Sequence, residues 1–206
     1  MDSKFLLQTY GQCYDSESGP WNLSLANKYL EYMFAKFFEE NFNVAEGDNI
    51  CNIGIGAGYW DRYLLYRLKR GCLTSIDIDK LSCRQLRECL INEGNPNKIN
   101  IINSDIMLIE NLSQQFEIVT MVGSTRREIG LYDSVFEKVF SFLKKDGTLY
   151  YQTLDKNEQR EDFSSVCKQH GMEIINYLYD TSYGFKAQYW KVRKKFSYKP
   201  LLESPI

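Results

Sequence analysis

Residues 49–60 read NICNIGIGAGYW, an apolar run followed by glycines at positions 54, 56 and 58. The run is typical of a buried strand, and the next stretch, GYWDRYLLYRLKRG, has apolar residues near helical spacing up to Gly71. Glycine adopts backbone conformations that other residues avoid and leaves no side chain between the backbone and a ligand. The pattern therefore predicts a strand, a tight turn and a helix, with a bound molecule at the turn; a turn without a ligand is the structural alternative.

The rest of the chain repeats this alternation. Further strands are predicted at CLTSIDID, INIINSD, FEIVTMV and TLYYQTL, with helices at KLSCRQLRECLINEG and at LYDSVFEKVFSFLKKDG, which is expected to end at Gly147. A long helix starting near Ser24 precedes them. After the helix EDFSSVCKQHG, two strands meet at a turn over residues 182–184 without a crossover helix. The prediction is an α/β fold, doubly wound, with a mostly parallel seven-stranded sheet and a C-terminal antiparallel hairpin.

Composition sets the broad class. The chain has 206 residues, 44% of them hydrophobic and 25% charged, which predicts one globular domain. The net charge is −2 and the Lys and Arg residues are scattered except for a late run from Lys191 to Lys195, so no nucleic-acid partner is expected. We also expect no membrane contact and a cytoplasmic location, since the chain has neither a long apolar stretch nor a signal-like start. Six cysteines without CxxC spacing predict no metal site.

Two nucleotide-binding patterns compete for the glycine turn. A dinucleotide fingerprint requires GxGxxG, and its third glycine would fall on Tyr59, where close packing of helix on strand needs a small residue. The chain offers GxGxG instead. NAD is therefore disfavoured.

NIGIGAG, Asp77 and Asp105 together resemble the motifs of class I S-adenosylmethionine-dependent methyltransferases, and the resemblance covers most of the chain. It implies S-adenosylmethionine as cofactor and Asp77, at the end of the second strand, as the acceptor for the ribose hydroxyls, with Asp79 as its rival. Asp105 would accept from the adenine amino group. The cofactor residues implied are Asn52, Gly54, Gly56, Gly58, Asp77, Ile78, Asp105 and Ile106, the two isoleucines packing on the adenine ring.

One departure from that family concerns charge. The family usually has Glu or Asp two residues before the first glycine, whereas this chain has Asn52. The methionine part of the cofactor carries an ammonium and a sulfonium, so the loss of this carboxylate is expected to weaken binding unless another residue compensates. Taken singly, Asp77 and Asp105 also fit helix caps or turn residues.

A finer resemblance concerns the substrate. GIGAGYW, together with Ser18, Pro20 and Trp21 in ESGPW, resembles segments of protein isoaspartate carboxyl methyltransferases. The chain departs from that family in a longer helix between the two motifs, in Arg126 and Arg127 after the fourth strand, and in its C-terminal hairpin. A relative with another substrate is expected. We predict one methyltransferase domain over 1–206, divided into an N-terminal helical cap over the active site (1–44), a cofactor-binding core (45–153) and a helix with a strand hairpin (154–206).

A carboxylate is the expected methyl acceptor. It is ionised at neutral pH and needs no general base, which suits a chain whose single histidine, His170, lies at a helix end. We expect Arg126 and Arg127 to orient the acid, and Tyr14, Ser18 and Ser124 to contact its oxygens, with Tyr183 lining the pocket. The predicted substrate is a peptide, first of all its C-terminal carboxylate, or a small acid.

Two alternatives stay open. The enzyme could methylate a small-molecule hydroxyl or amine, with Tyr14 or Asp15 as the base. Alternatively the chain could be a catalytically silent module that binds the cofactor and serves a partner protein, a hypothesis that Asn52 leaves open. The sequence gives no prediction of oligomeric state.

Overall fold

The structure is a computed structural model that describes residues 25–94, 97–123, 132–154, 156–184 and 186–194, without the side chains of Ala26, Asn27 and Tyr183. Its helices are α1 (Leu25–Asn41), α2 (Tyr59–Arg67), α3 (Lys80–Glu93), α4 (Tyr132–Phe142) and α5 (Arg160–Gln169). Its strands are β1 (Asn49–Ile53), β2 (Cys72–Asp77), β3 (Lys98–Asn103), β4 (Phe116–Val122), β5 (Leu143–Thr153), β6 (Met172–Asp180) and β7 (Ala187–Lys194).

The seven strands form one sheet in the order β3-β2-β1-β4-β5-β7-β6. The pairs among β1 to β5 are parallel, and β7 runs antiparallel to both of its neighbours, β5 and β6. The predicted parallel sheet with a C-terminal antiparallel hairpin is therefore confirmed. The chain order reverses next to β1, so the carboxyl ends of β1 and β4 diverge into a crevice of the kind that holds ligands in such sheets.

Both faces of the sheet are covered by helices. On one face, α1 and α2 pack on Tyr150 and Tyr189, with Phe37 stacked on Tyr150 at 5.4 Å between ring centroids. On the other face, α4 and α5 cover a cluster that includes Phe136, Tyr151, Phe163 and Trp190. Apolar side chains thus alternate between two cores along β5 and β7, as expected for strands buried on both sides.

Two boundaries differ from the predictions. The stretch expected to remain helical up to Gly147 leaves the helix at Phe142, and β5 already begins at Leu143. Leu143 is fully buried and pairs with Phe116 of β4, and Lys144 forms an ion pair with Glu117, so pairing with β4 outweighs the helical pattern. Similarly, α2 ends at Arg67 rather than at Gly71, because Leu68 is already extended.

Some predictions fall on residues that are not described. The proposed cap Ser24 and the N-terminal part of the expected cap over the active site lie outside the described residues, and the three-part division of the domain stays a prediction. None of the helices within the described ranges is long and apolar enough to cross a membrane.

Candidate functional site

The glycine turn connects β1 to α2 at the carboxyl edge of the sheet. Gly54, Gly56 and Gly58 have φ values of +85°, +52° and +78°, in the left-handed region that favours glycine. Gly58 is also the N-cap of α2, and a Cβ atom there would lie 3.1 Å from Leu86 Cδ1. The turn therefore requires glycine for its conformation and, at Gly58, for its close packing on α3.

Asp77, at the end of β2, holds this turn in place. Its Oδ2 accepts hydrogen bonds from the backbone N–H groups of Ile55 (2.6 Å) and Gly56 (3.2 Å). Its Oδ1 accepts from Asp79 N at 2.7 Å. A half-buried carboxylate is thus positioned directly against the glycine backbone, where the sequence predicts the ribose of the cofactor.

Asp79, the predicted rival of Asp77 for the ribose, has a different role. It is the N-cap of α3, and its carboxylate accepts from Leu81 N (2.9 Å), Ser82 N (3.0 Å) and Ser82 Oγ (2.7 Å). The hydrogen bond from Ser82 lowers the pKa of Asp79 below its usual value. Asp79 contacts the first turn of α3, whereas Asp77 contacts the backbone of the glycine turn, so Asp77 is the better candidate for a ligand contact.

The predicted adenine site lies further along the same edge. Asp105 accepts from Met107 N at 2.9 Å and caps a short 3₁₀ helix, Ile106–Leu108, which is the capping role that the sequence left open. Ile78 is 71% exposed beside Asp77, whereas Ile106 is half-buried against the core. An exposed isoleucine at the end of a strand offers an apolar surface to a planar ring.

Asn52 lies at the centre of a buried polar network. Its Nδ2 donates to Gly54 O (3.0 Å) and to Asp61 Oδ1 (2.9 Å), and its Oδ1 accepts from Thr120 Oγ1 at 2.7 Å. Thr120 Oγ1 accepts in turn from Trp60 Nε1 at 3.1 Å. The network links β1, β4 and α2 directly below the glycine turn.

Asp61 brings a carboxyl group into this network. It lies in the first turn of α2 and is fully buried. Its Oδ2 has no hydrogen-bond partner among the described residues. The pKa of Asp61 is raised to about 7, mainly by burial and to a small extent by the charge of Asp77. The acid that the family places at position 52 is absent here, but Asp61 supplies a carboxyl group one hydrogen bond away.

The sequence did not single out Asp61. An acidic residue in the first turn of a helix is ordinary, because it complements the helix dipole. Only the tertiary contact with Asn52 distinguishes this acid from a surface residue. Two further residues, Gln152 and Tyr189, were also missed, since both lie in strands whose other residues build the core.

The residues predicted to act on the acceptor lie outside the described residues: Tyr14, Asp15, Ser18, Ser124, Arg126 and Arg127. The same holds for the side chain of Tyr183. His170 is the C-cap of α5 and packs beside Phe140, with 5.7 Å between ring centroids, at the sheet edge opposite the glycine turn. Its predicted place at a helix end is therefore confirmed. The described residues contain no cluster of His, Cys, Asp or Glu that could hold a metal ion.

Sheet order, glycine turn and acidic strand end together define the fold of class I S-adenosylmethionine-dependent methyltransferases. No protein-family model matches the chain. The chain is similar to a ribosomal RNA large subunit methyltransferase E from Borrelia garinii subsp. bavariensis, with 24% identity over 148 residues, which cover 68% of this chain and 77% of the relative.

Similar solved structures have the same class of fold. A SAM-dependent methyltransferase from Aquifex aeolicus superimposes with a TM-score of 0.67 at 16% identity, covering 79% of this chain and 89% of that one. The [4+2]-cyclase SpnF superimposes with a TM-score of 0.69 at 13% identity, covering 82% and 81%. At these identities the structures show the fold. Together with the Borrelia relative, they support an S-adenosylmethionine-dependent methyltransferase with S-adenosylmethionine as its cofactor.

Two finer predictions gain no such support. None of these three proteins is named as an isoaspartate methyltransferase, so that resemblance stays a prediction. The name of the Borrelia relative stands against the expected absence of a nucleic-acid substrate, and at 24% identity it does not establish the substrate of this chain.

Proposed function

We propose that the protein is an S-adenosylmethionine-dependent methyltransferase that O-methylates a carboxylate of a peptide, such as its C-terminal carboxylate, or of a small acid. The observation that carries the proposal is the turn of left-handed glycines, held against β1 and β2 by the carboxylate of Asp77. When bound, S-adenosylmethionine supplies a methyl group already activated as a sulfonium. The protein then has to bind and orient both reactants and exclude water.

The cofactor residues follow from the site. Asp77 would accept from the ribose hydroxyls, Asp105 from the adenine amino group, and the glycine backbone would face the ligand where side chains would obstruct it. Ile78 and Ile106 would pack on the adenine. Asp61, through Asn52, would offset the missing acid and favour the positively charged methionine part.

A carboxylate acceptor agrees with the groups at this edge. Tyr189 lies there fully buried, and burial raises its pKa, so the phenol remains protonated and is a poor general base. A carboxylate requires no base, whereas a hydroxyl or amine acceptor would usually need one. Arg126 and Arg127 as the acid clamp, and Tyr14, Ser18 and Ser124 as contacts to the acceptor oxygens, remain part of the proposal.

Ribosomal RNA is the second candidate acceptor, because the Borrelia relative carries that activity in its name. The scattered positive charge and the net charge of −2 do not favour it, since nucleic-acid binding draws most of its affinity from phosphate contacts.

Transfer of a labelled methyl group distinguishes these acceptors. We expect label on peptide acids but not on the matching C-terminal amides, and its release as methanol in mild base, as for an ester. At saturating cofactor the rate should show no limb from a catalytic base between pH 6 and 9. Label found only on ribosomal RNA would overturn the carboxylate and establish the second candidate. Cofactor binding without transfer to any acceptor would favour the silent module.

A further inference from the structure

A polar pair lies on the sheet face that carries α1, at the carboxyl edge. Gln152 of β5 pairs with Val122 of β4 on one side and with Tyr189 of β7 on the other. Side chains two residues apart in a strand share a face, so Gln152 stands one step closer to the edge than Tyr150, which packs on α1. Gln152 and Tyr189 therefore lie in a row near the carboxyl edge of the sheet.

Gln152 presents an unused donor. The residue is fully buried, and its Oε1 accepts from Gly123 N at 2.8 Å. Because a backbone N–H can only donate, this bond fixes the amide with its oxygen towards Gly123 and its nitrogen away. The nitrogen, Nε2, is buried and has no hydrogen-bond partner in the described part of the chain.

Tyr189 presents a second unused donor. Its ring lies between β7 and α1, with centroids 5.6 Å from Phe37 and 6.2 Å from Phe34, and its hydroxyl is buried without a partner in the described ranges. The nearby carboxylate of Asp180 accepts instead from Tyr29 OH (3.0 Å) and Ser182 N (2.9 Å).

Tyr150 shows how a buried tyrosine hydroxyl is usually paired. One row deeper on the same face, its OH donates to the backbone oxygen of Phe34 at 3.2 Å. Buried polar groups in native proteins are nearly always paired, and these two donors, without partners among the described residues, lie on directly paired residues near the carboxyl edge, where such sheets hold ligands. A ligand that completes both bonds must carry hydrogen-bond acceptors.

We propose that Gln152 Nε2 and Tyr189 OH form a donor pair that binds a carboxylate oxygen of the methyl acceptor. The inference rests on the proposed function and concerns its acceptor: Gln152 Nε2 can only donate, and the hydroxyl of Tyr189 would donate its proton to the same carboxylate. The pair holds the acid by donors that are fixed in place before the acid binds. Gln152 and Tyr189 are thus acceptor-binding residues, separate from those proposed for the cofactor.

Calorimetric titration tests the pair. The protein is first saturated with S-adenosylhomocysteine, and then titrated with an N-acetylated tripeptide bearing a free C-terminal carboxylate, with its C-terminal amide, and with benzoate. We expect an acid probe to bind and the amide to bind more weakly. Tyr189→Phe and Gln152→Met should each weaken acid binding about tenfold or more, while S-adenosylhomocysteine binds as before.

Tyr150→Phe is the matched control, since it removes a hydroxyl from the same face that already has a partner; acid binding should be unchanged. Equal acid binding in wild type, Tyr189→Phe and Gln152→Met would overturn the donor pair. So would a wild type that binds S-adenosylhomocysteine but neither acid probe. Failure to bind S-adenosylhomocysteine itself would instead contradict the proposed function, so the two failures are distinguishable.

Discussion

Two residues, Asn52 and Asp61, help to determine the charge beside the glycine turn. Asn52 forms hydrogen bonds to the turn and to β4, and the nearby carboxyl group is that of Asp61 on the following helix. Because Asp61 is fully buried and Oδ2 has no partner in the described residues, ionising it is costly in the folded protein. A bound cation would lower the free-energy cost of ionising Asp61.

Asp61→Asn should therefore change how stability depends on pH. The folded pKa of about 7 lies above the ordinary value of about 3.9, so this group stabilises the wild type fully below pH 4. As pH rises to about 7 this contribution is lost, and the free energy of unfolding falls by at most about 4 kcal/mol. In urea unfolding, the free energy of unfolding should fall less between pH 5 and pH 8 in the variant than in the wild type. At pH 8 the variant should also bind S-adenosylmethionine more weakly. Parallel pH curves for the two proteins would exclude this role.

The two tyrosines on the α1 face should respond oppositely to loss of the hydroxyl. Tyr189→Phe removes a buried hydroxyl without a partner, so we expect the free protein to be unchanged or more stable by up to about 1 kcal/mol. Tyr150→Phe breaks a bond to Phe34 and should cost about 1 kcal/mol. Thermal unfolding compares them. A loss in Tyr189→Phe as large as in Tyr150→Phe would mean that its hydroxyl already has a partner.

At the scale of elements, the residues at the end of β2 form hydrogen bonds with two neighbouring segments. Asp77 binds the turn before α2, and Asp79 caps α3. The sequence predicted both strand and helices, because periodicity and the stop at Gly94 are local signals, and Gly94 is indeed the left-handed C-cap of α3. It could not assign separate roles to the two aspartates, since each role depends on which backbone N–H groups the fold brings near.

The boundary between α4 and β5 shows the limit of local patterns. The apolar periodicity continues past Phe142, but pairing with β4 draws Leu143 into the sheet. Tertiary pairing outweighs helical propensity there, a competition that no local window contains.

At the scale of the whole molecule, the fold was predictable and the acceptor was not. Alternating strands and helices specify the sheet, and the glycine turn lies at the edge where the cofactor site is predicted. The acceptor side depends on single side chains, such as Gln152 and Tyr189, that periodicity assigns to the core. The same fold also serves the cyclase SpnF, so fold alone does not name the reaction.

The glycine turn is proposed to bind S-adenosylmethionine with the help of Asp77. Calorimetric titration of the wild type, Asp77→Ala and Asp79→Ala with S-adenosylmethionine and with S-adenosylhomocysteine tests it most directly. We predict micromolar binding in the wild type, its loss in Asp77→Ala, and its retention in Asp79→Ala, which should lose only about 1 kcal/mol of stability with its cap. No binding of either compound to the folded wild type, or equal binding in Asp77→Ala, would contradict the claim.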